Sequence, residues 1–247
     1  MKRKILDVPF ACDNKQDILA VTCERLERGL VTRIFTPNPI MVQQAKRNGR
    51  LRAALANADF NLPDGVGILL ASRILGTPLP ARIAGIDFAE DLVELAEKRE
   101  LRLFLLGGKP GVADAAARAL WSRYPNLDIC GACHGYFEEE DGSVLASYIA
   151  QKRPDILFVC LGSPRQEIFI AEHLEKTGAR LGIGLGGTLD VWSEKVRRAP
   201  KIFRAIGAEW LWRMVLEPRR LAGLGHIFAF LGSALWERLK KSIKMHS

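Results

Sequence analysis

Residues 156–188 read ILFVCLGSPRQEIFIAEHLEKTGARLGIGLGGT, and this stretch decides the fold. Ile156 to Leu161 is an unbroken apolar run of strand length, closed by Gly162-Ser163-Pro164. A helical pattern follows through Ile168 to Leu174. A second apolar run, Ala179 to Leu185, then ends in Gly186-Gly187-Thr188. Strands with one wet face alternate apolar and polar residues, whereas continuous runs suit strands covered on both faces.

The same unit recurs upstream. Val31-Thr32-Arg33-Ile34-Phe35 leads into Thr36-Pro37-Asn38-Pro39 and a helix through Met41 to Ala45. Leu101 to Leu106 leads into Gly107-Gly108-Lys109-Pro110-Gly111 and an Ala-rich helix around 112–123. Repeated strand–loop–helix units predict an α/β fold, Rossmann-like, with a mostly parallel sheet flanked by helices. Ligands of open α/β sheets bind beyond the carboxyl ends of the strands. The loops at Thr36, Gly107, Gly162 and Gly186 are therefore the places to look for function.

The chain has 247 residues, enough for one sizeable domain or a domain with an appendage. A basic start at Met1-Lys2-Arg3-Lys4 is followed by an apolar stretch that Asp7 and Pro9 interrupt, unlike a secretory signal, so a cytoplasmic location is expected. The charge is unevenly placed. From Lys195 onward there are twelve Lys or Arg against three Glu, a surplus larger than the +8 of the whole chain. The same stretch holds three of the five tryptophans, Trp210, Trp212 and Trp236. Such a tail on a nearly neutral body suits an anionic membrane surface or a polyphosphate. We therefore expect a body over 1–195 and a basic, helical, aromatic-rich appendage over 196–247. Leu221 to Trp236 is apolar but, at about 16 residues, short of the ~20 a spanning helix needs. An interfacial helix is expected there, against a helix packed on the body with a solvated basic face. Truncation near 195 is expected to leave a folded body.

Several motifs are weaker than they look. Cys130-Gly131-Ala132-Cys133-His134 matches a haem-attachment pattern, but that attachment normally needs export. No second Cys or His pair at ligand spacing completes a zinc site, so core thiols beside a loop histidine are expected. Gly182-Ile183-Gly184-Leu185-Gly186-Gly187 has no following strand with a ribose-binding acid, and Gly107-Gly108-Lys109-Pro110 lacks the end of a Walker A loop. Asp64, in Leu62-Pro63-Asp64-Gly65, reads locally as a turn residue capping the next helix. Arg82 reads as a surface cation and Gln166 as a polar residue at a helix start.

Taken together, however, these segments resemble the WecG/TagA/CpsF family, glycosyltransferase family 26. The resemblance runs in order through Thr36-Pro37-Asn38-Pro39, Pro63-Asp64-Gly65-Val66-Gly67, Arg82-Ile83-Ala84-Gly85 and His134-Gly135-Tyr136-Phe137. It continues through Gly162-Ser163-Pro164-Arg165-Gln166-Glu167, Gly186-Gly187-Thr188-Leu189-Asp190, Arg197-Arg198-Ala199-Pro200 and Glu209-Trp210-Leu211-Trp212-Arg213, to Glu217-Pro218-Arg219-Arg220-Leu221. The resemblance implies an inverting transferase that moves N-acetylmannosamine from a UDP-sugar to N-acetylglucosaminyl-diphospho-undecaprenol. Relatives that use UDP-glucose or UDP-N-acetylmannosaminuronic acid leave the donor open. It further implies Asp64 as general base, with Thr36, Asn38, Arg82 and Gln166 around donor and acceptor. A C-terminal appendage carrying Arg213 and Arg220 would close over the site and dock on the inner face of the cytoplasmic membrane.

The residues suit that chemistry. Inversion needs one carboxylate within hydrogen-bond reach of the acceptor hydroxyl, and stabilisation of the leaving diphosphate. There is no Asp-x-Asp metal motif in the chain, and Arg forks match phosphate geometry, so transfer without a metal or other cofactor is expected. Tyr136 is a candidate to stack on uracil and Asp190 to accept from base or ribose, against a packed aromatic and a helix cap. A nucleic-acid-binding module explains the tail but leaves the body without a role, so no nucleic-acid partner is expected. A nicotinamide-dependent oxidoreductase fits the α/β pattern but lacks the early fingerprint.

Overall fold

The structure, a computed structural model, describes residues 2–200, 203, 209, 212 and 224–245. Its strands are β1 (Lys2–Ile5), β2 (Val8–Ala11), β3 (Thr32–Phe35), β4 (Phe60–Asn61), β5 (Leu103–Gly107), β6 (Ile129–Cys133), β7 (Ile156–Cys160) and β8 (Leu181–Gly184). β1 and β2 form a hairpin, and six strands form a sheet of order β4-β3-β8-β7-β5-β6. The pairings β3–β8, β8–β7, β7–β5 and β5–β6 are all parallel. The α/β architecture, its parallel sheet flanked by helices, is the one expected. The four strands read from sequence lie where they were placed, with ends shifted by at most two residues.

The chain divides into two compact units, one of Met1–Asn14, Thr36–Ala84 and Arg198–Ser247, the other of Lys15–Phe35 and Gly85–Arg197. The second unit carries the continuous apolar strands. Leu103 to Leu106 and Ile156 to Val159 are fully buried, each contributing roughly 1.5–3 kcal/mol through removal from water. Around them lie α1 (Lys15–Glu27), α5 (Gly85–Lys98), α6 (Val112–Arg123), α7 (Gly142–Gln151), α8 (Arg165–Thr177) and α9 (Thr188–Trp192). Helix α8 approaches β8 so closely that a Cβ on Gly182 would sit 2.8 Å from Leu174 Cδ1. The alternation of Gly and bulky residues in Leu181-Gly182-Ile183-Gly184 makes that approach possible.

The first unit opens with the hairpin, whose two-residue turn places both Leu6 (φ 48°) and Asp7 (φ 70°) in the left-handed region. This turn lacks the Asn-Gly or Asp-Gly signature of such hairpins, which hides it from sequence reading. Asn61 ties it down: its Nδ2 donates to Pro9 O at 2.8 Å and Leu55 O at 2.7 Å. Helices α2 (Pro39–Ala45), α3 (Gly49–Ala56) and α4 (Val66–Ile74) complete this part.

Helix α10 (Leu224–Met245) packs on α2 and α4. Phe230 and Ala234 are fully buried, and Ser233 Oγ accepts from Gln43 Nε2 (3.2 Å) and Lys46 Nζ (2.9 Å). The residues from Arg198 onward cluster with Met1–Asn14 and Thr36–Ala84. Truncation near 195 would remove the buried Phe230 and Ala234 from that unit. The opposite face of α10 is apolar and uncovered among the described residues: Phe228 (71% exposed), Leu235, Trp236 (61%), Leu239 and Ile243. No helix among the described residues is long and apolar enough to cross a membrane.

Candidate active site

Asp64 sits two residues before α4, in a loop fixed by one backbone conformation and two contacts. Gly65 takes φ +99°, a conformation open to glycine and strained for a side chain. A Cβ on Gly67 would meet Pro39 Cγ at 2.6 Å, so α4 starts hard against the Thr36-Pro37-Asn38-Pro39 loop. Ile83 N donates to Pro63 O at 2.9 Å and brings in the Arg82 loop. The residue capping α4 is Gly65, with no side-chain cap. Asp64 is thus not the helix cap that its Pro-Asp-Gly setting suggests. Its Oδ1 lies 3.4 Å from Arg82 Nε instead.

Arg82 is not the surface cation of the local reading. Its side chain is 17% exposed, and its Nη2 reaches Glu209 Oε2 at 2.5 Å. The other oxygen of Glu209 lies 3.4 Å from Arg198 Nε. Burial alone would lower the guanidinium's pKa, but the charges of Asp64 and Glu209 and their hydrogen bonds reverse that and hold it above its ordinary value. Asp64, Arg82, Glu209 and Arg198 form a chain of alternating charge, all within the first unit. Sequence reading gave no role to Glu209 or Arg198. Glu209 is 127 residues from Arg82, and no local pattern announces so distant a pairing.

Thr36 is buried directly after β3. Asn38 is exposed, and its Oδ1 accepts from Met41 N at 3.0 Å as the N-cap of α2, with Pro39 in the first turn. The structure therefore brings the loops of Thr36, Asn38, Asp64 and Arg82 together in one unit.

The remaining candidates belong to the second unit. Gln166 is buried in the first turn of α8; its Oε1 accepts from Gly186 N at 2.9 Å and its Nε2 donates to Glu167 Oε1 at 2.7 Å. It fastens the loop after β8 to the helix after β7. Glu167 is fully buried and its Oε2 has no hydrogen-bond partner among the described residues. Burial pushes its carboxyl up to about 7, against the lowering effect of Gln166, Ser163 and its own backbone N–H. Tyr136 is 62% exposed and borders an open concavity with Phe137, Glu138, Glu139, Asp141 and Arg165. Arg165 holds that loop, donating to Gly135 O at 3.3 Å and Phe137 O at 2.8 Å. Asp190 lies in α9 and acts electrostatically on Cys160 at the end of β7. Arg213 and Arg220 lie outside the described residues.

Cys130 and Cys133 are half-buried thiols in β6, both pushed up by burial, Cys130 to about 11. A thiol raised that far is protonated and unreactive at neutral pH. His134 Nδ1 accepts from Tyr136 N at 3.2 Å, so this histidine organises its own loop. Among the described residues, no three His, Cys, Asp or Glu side chains are grouped to hold a metal ion.

The family model described as Glycosyl transferase WecG/TagA/CpsF family matches residues 3–244. The chain is similar to proteins named N-acetylglucosaminyldiphosphoundecaprenol N-acetyl-beta-D-mannosaminyltransferase in several bacteria. For that of Bacillus spizizenii the identity is 36% over 187 residues, covering 76% of this chain and 72% of the relative. For Bacillus subtilis it is 37% over 187 residues, covering 76% and 72%, and for Staphylococcus aureus strain MRSA252 it is 34% over 198 residues, covering 80% and 77%.

Proposed function

The chain belongs to the WecG/TagA/CpsF glycosyltransferase family, and from that premise we propose that it transfers N-acetylmannosamine, with inversion, from a UDP-sugar to N-acetylglucosaminyl-diphospho-undecaprenol. The relatives' names carry the acceptor and the sugar. The placement of Asp64 carries the mechanism: a carboxylate in a glycine-fixed loop, released from helix capping and set beside a part-buried arginine.

In the reaction, Asp64 accepts the proton of the acceptor hydroxyl as that oxygen attacks the anomeric carbon. The C–O bond to the diphosphate breaks on the opposite face, and UDP leaves with the electron pair. Arg82, joined by Arg213 and Arg220, balances the charge developing on the diphosphate in place of a metal. Thr36 and Asn38 line the sugar and phosphate path, and Gln166 acts through the Gly186 loop that it fastens to α8. Tyr136 stacks on uracil beside the acidic concavity, whose carboxylates suit the N–H and O–H donors of base and ribose and repel phosphate. Asp190 accepts from the same end of the nucleotide.

The acceptor's lipid requires work at a membrane. The uncovered face of α10 supplies the contact, with Phe228, Leu235, Trp236, Leu239 and Ile243 in the acyl boundary and Arg238 and Lys240 among anionic headgroups of the cytoplasmic leaflet. The test is a panel of UDP-sugars with a short-chain lipid-diphosphate-N-acetylglucosamine. UDP-N-acetylmannosamine is expected to be consumed fastest and to give a β-linked product from its α-linked donor. Preferential use of UDP-glucose, or retention at the anomeric carbon, overturns the reading.

A further inference from the structure

Glu209 is the one acid of the ion-pair chain to which the reaction above assigns no work. Its carboxylate and that of Asp64 contact the same guanidinium through adjacent nitrogens, Nη2 and Nε. In arginine those two N–H groups form a single flat edge, the edge on which one carboxylate can dock with two parallel hydrogen bonds. Here the edge is divided, and unequally. Glu209 Oε2 holds Nη2 at 2.5 Å, whereas Asp64 Oδ1 stands 3.4 Å from Nε. Charge-assisted N–H···O contacts usually measure about 2.7–2.9 Å, so the Asp64 contact is long and the Glu209 contact is the tight one.

We propose that Glu209 is a positioning residue that occupies the docking edge of Arg82, so that Asp64 is oriented by the arginine without being captured in a bidentate ion pair. A captured Asp64 would have both oxygens on the guanidinium and would be a poorer proton acceptor for the acceptor hydroxyl. Arg198, at 3.4 Å from Glu209 Oε1, opposes this by drawing Glu209 the other way. Among the described residues, the charged groups facing one another across this cluster are Asp64 from the loop before α4, Arg82 from the loop before α5, and Arg198 and Glu209 from the C-terminal segment.

This inference rests on the reading of Asp64 as the base, and the experiment separates the two. The full-length enzyme is assayed for kcat/KM across about pH 5 to 9, where the acid limb reports the essential base. UDP-N-acetylmannosamine and the short-chain lipid acceptor are the substrates. In Glu209→Gln, loss of the negative charge and capture by Arg82 both lower the pKa of Asp64. The acid limb is expected to move to lower pH while the plateau kcat falls about tenfold, as for a weaker base. Glu209→Asp keeps the charge and is expected to keep the limb near its wild-type position. Arg198→Gln removes a cation and frees Glu209 for Arg82, moving the limb to higher pH. That opposite sign keeps the proposal open to refutation should Glu209→Gln fold poorly in thermal melts. Acid limbs unmoved in both Glu209→Gln and Arg198→Gln, whatever their rates, overturn the proposal and leave Glu209 a tether of the C-terminal segment. An Asp64→Asn enzyme that keeps both its rate and its acid limb overturns instead the assignment of the base.

Discussion

Asp64 Oδ1 lies 3.4 Å from Nε of Arg82, a pairing across 18 residues that removes Asp64 from the turn-and-cap role its neighbours suggest. The loop geometry that makes the pairing possible depends on the next residue. Gly65 holds φ at +99°, with only Pro39 Cδ, 3.8 Å away, near the position of an added Cβ. Space is therefore available there and the backbone is the obstacle. With ψ at 140° this is not the left-handed helical region but one that essentially only glycine adopts, and Gly65→Ala is expected to cost about 1–3 kcal/mol in thermal or denaturant unfolding. Transfer activity should fall by a larger factor than that loss accounts for, because Asp64 turns with its neighbour. Wild-type turnover in a folded Gly65→Ala protein would show that the loop does not need this conformation.

Glu167 makes stability depend on pH in a direction opposite to that of an ion-paired carboxylate, whose pKa folding lowers. Its ordinary pKa of 4.5 is raised to about 7 in the folded protein, so between those values the folded state holds a proton that the unfolded chain has released. Stability from this group is complete below about pH 4.5 and is lost as pH rises toward 7, by up to about 3 kcal/mol. Glu167→Gln keeps an oxygen for Gln166 Nε2 and removes the titration. The variant is expected to gain stability relative to wild type at pH 8 compared with pH 5, as read by melting temperature. An unchanged difference between the two pH values would contradict the burial assigned to Glu167.

The two faces of α10 separate binding from folding. Phe228→Ser and Trp236→Ser change exposed side chains, so the melting temperature is expected to hold while cosedimentation with anionic vesicles drops roughly tenfold or more for each. Phe230→Ala, on the buried face, is expected to destabilise by about 3–5 kcal/mol. Vesicle binding unaffected by the two serines would remove α10 from the membrane contact.

Arginines in the place of a metal predict transfer that is indifferent to chelation. Activity in excess EDTA is expected to equal that in buffer. Activity abolished by EDTA and restored by Mn²⁺ or Mg²⁺ would contradict the role given to Arg82 and its companions.

What the sequence discloses follows from how local each signal is. The strands at Ile156 and Leu181 are legible because burial on both faces leaves an apolar run with a Gly-rich stop. The hairpin at Leu6-Asp7 and the two-residue strand at Phe60-Asn61 carry no such run, and both are set by contacts such as Asn61 to Pro9, which are 52 residues apart. At the site, Asp64 and Arg82 stand out only through the ordered set of family motifs. Glu209 and Arg198 belong to those motifs too, but their roles emerge only from pairings between distant residues. The outward face of α10 is hidden for another reason: one helix carries two apolar faces, and only packing on α2 and α4 distinguishes the buried one.

The base itself is tested by Asp64→Asn, which preserves the size of the side chain and its contact with Arg82 while removing the proton acceptor. With UDP-N-acetylmannosamine and the short-chain lipid acceptor at saturation, kcat is expected to fall by about 10²–10⁴, with the melting temperature and UDP affinity close to wild type. A folded Asp64→Asn enzyme that turns over within a few-fold of wild type would contradict the account.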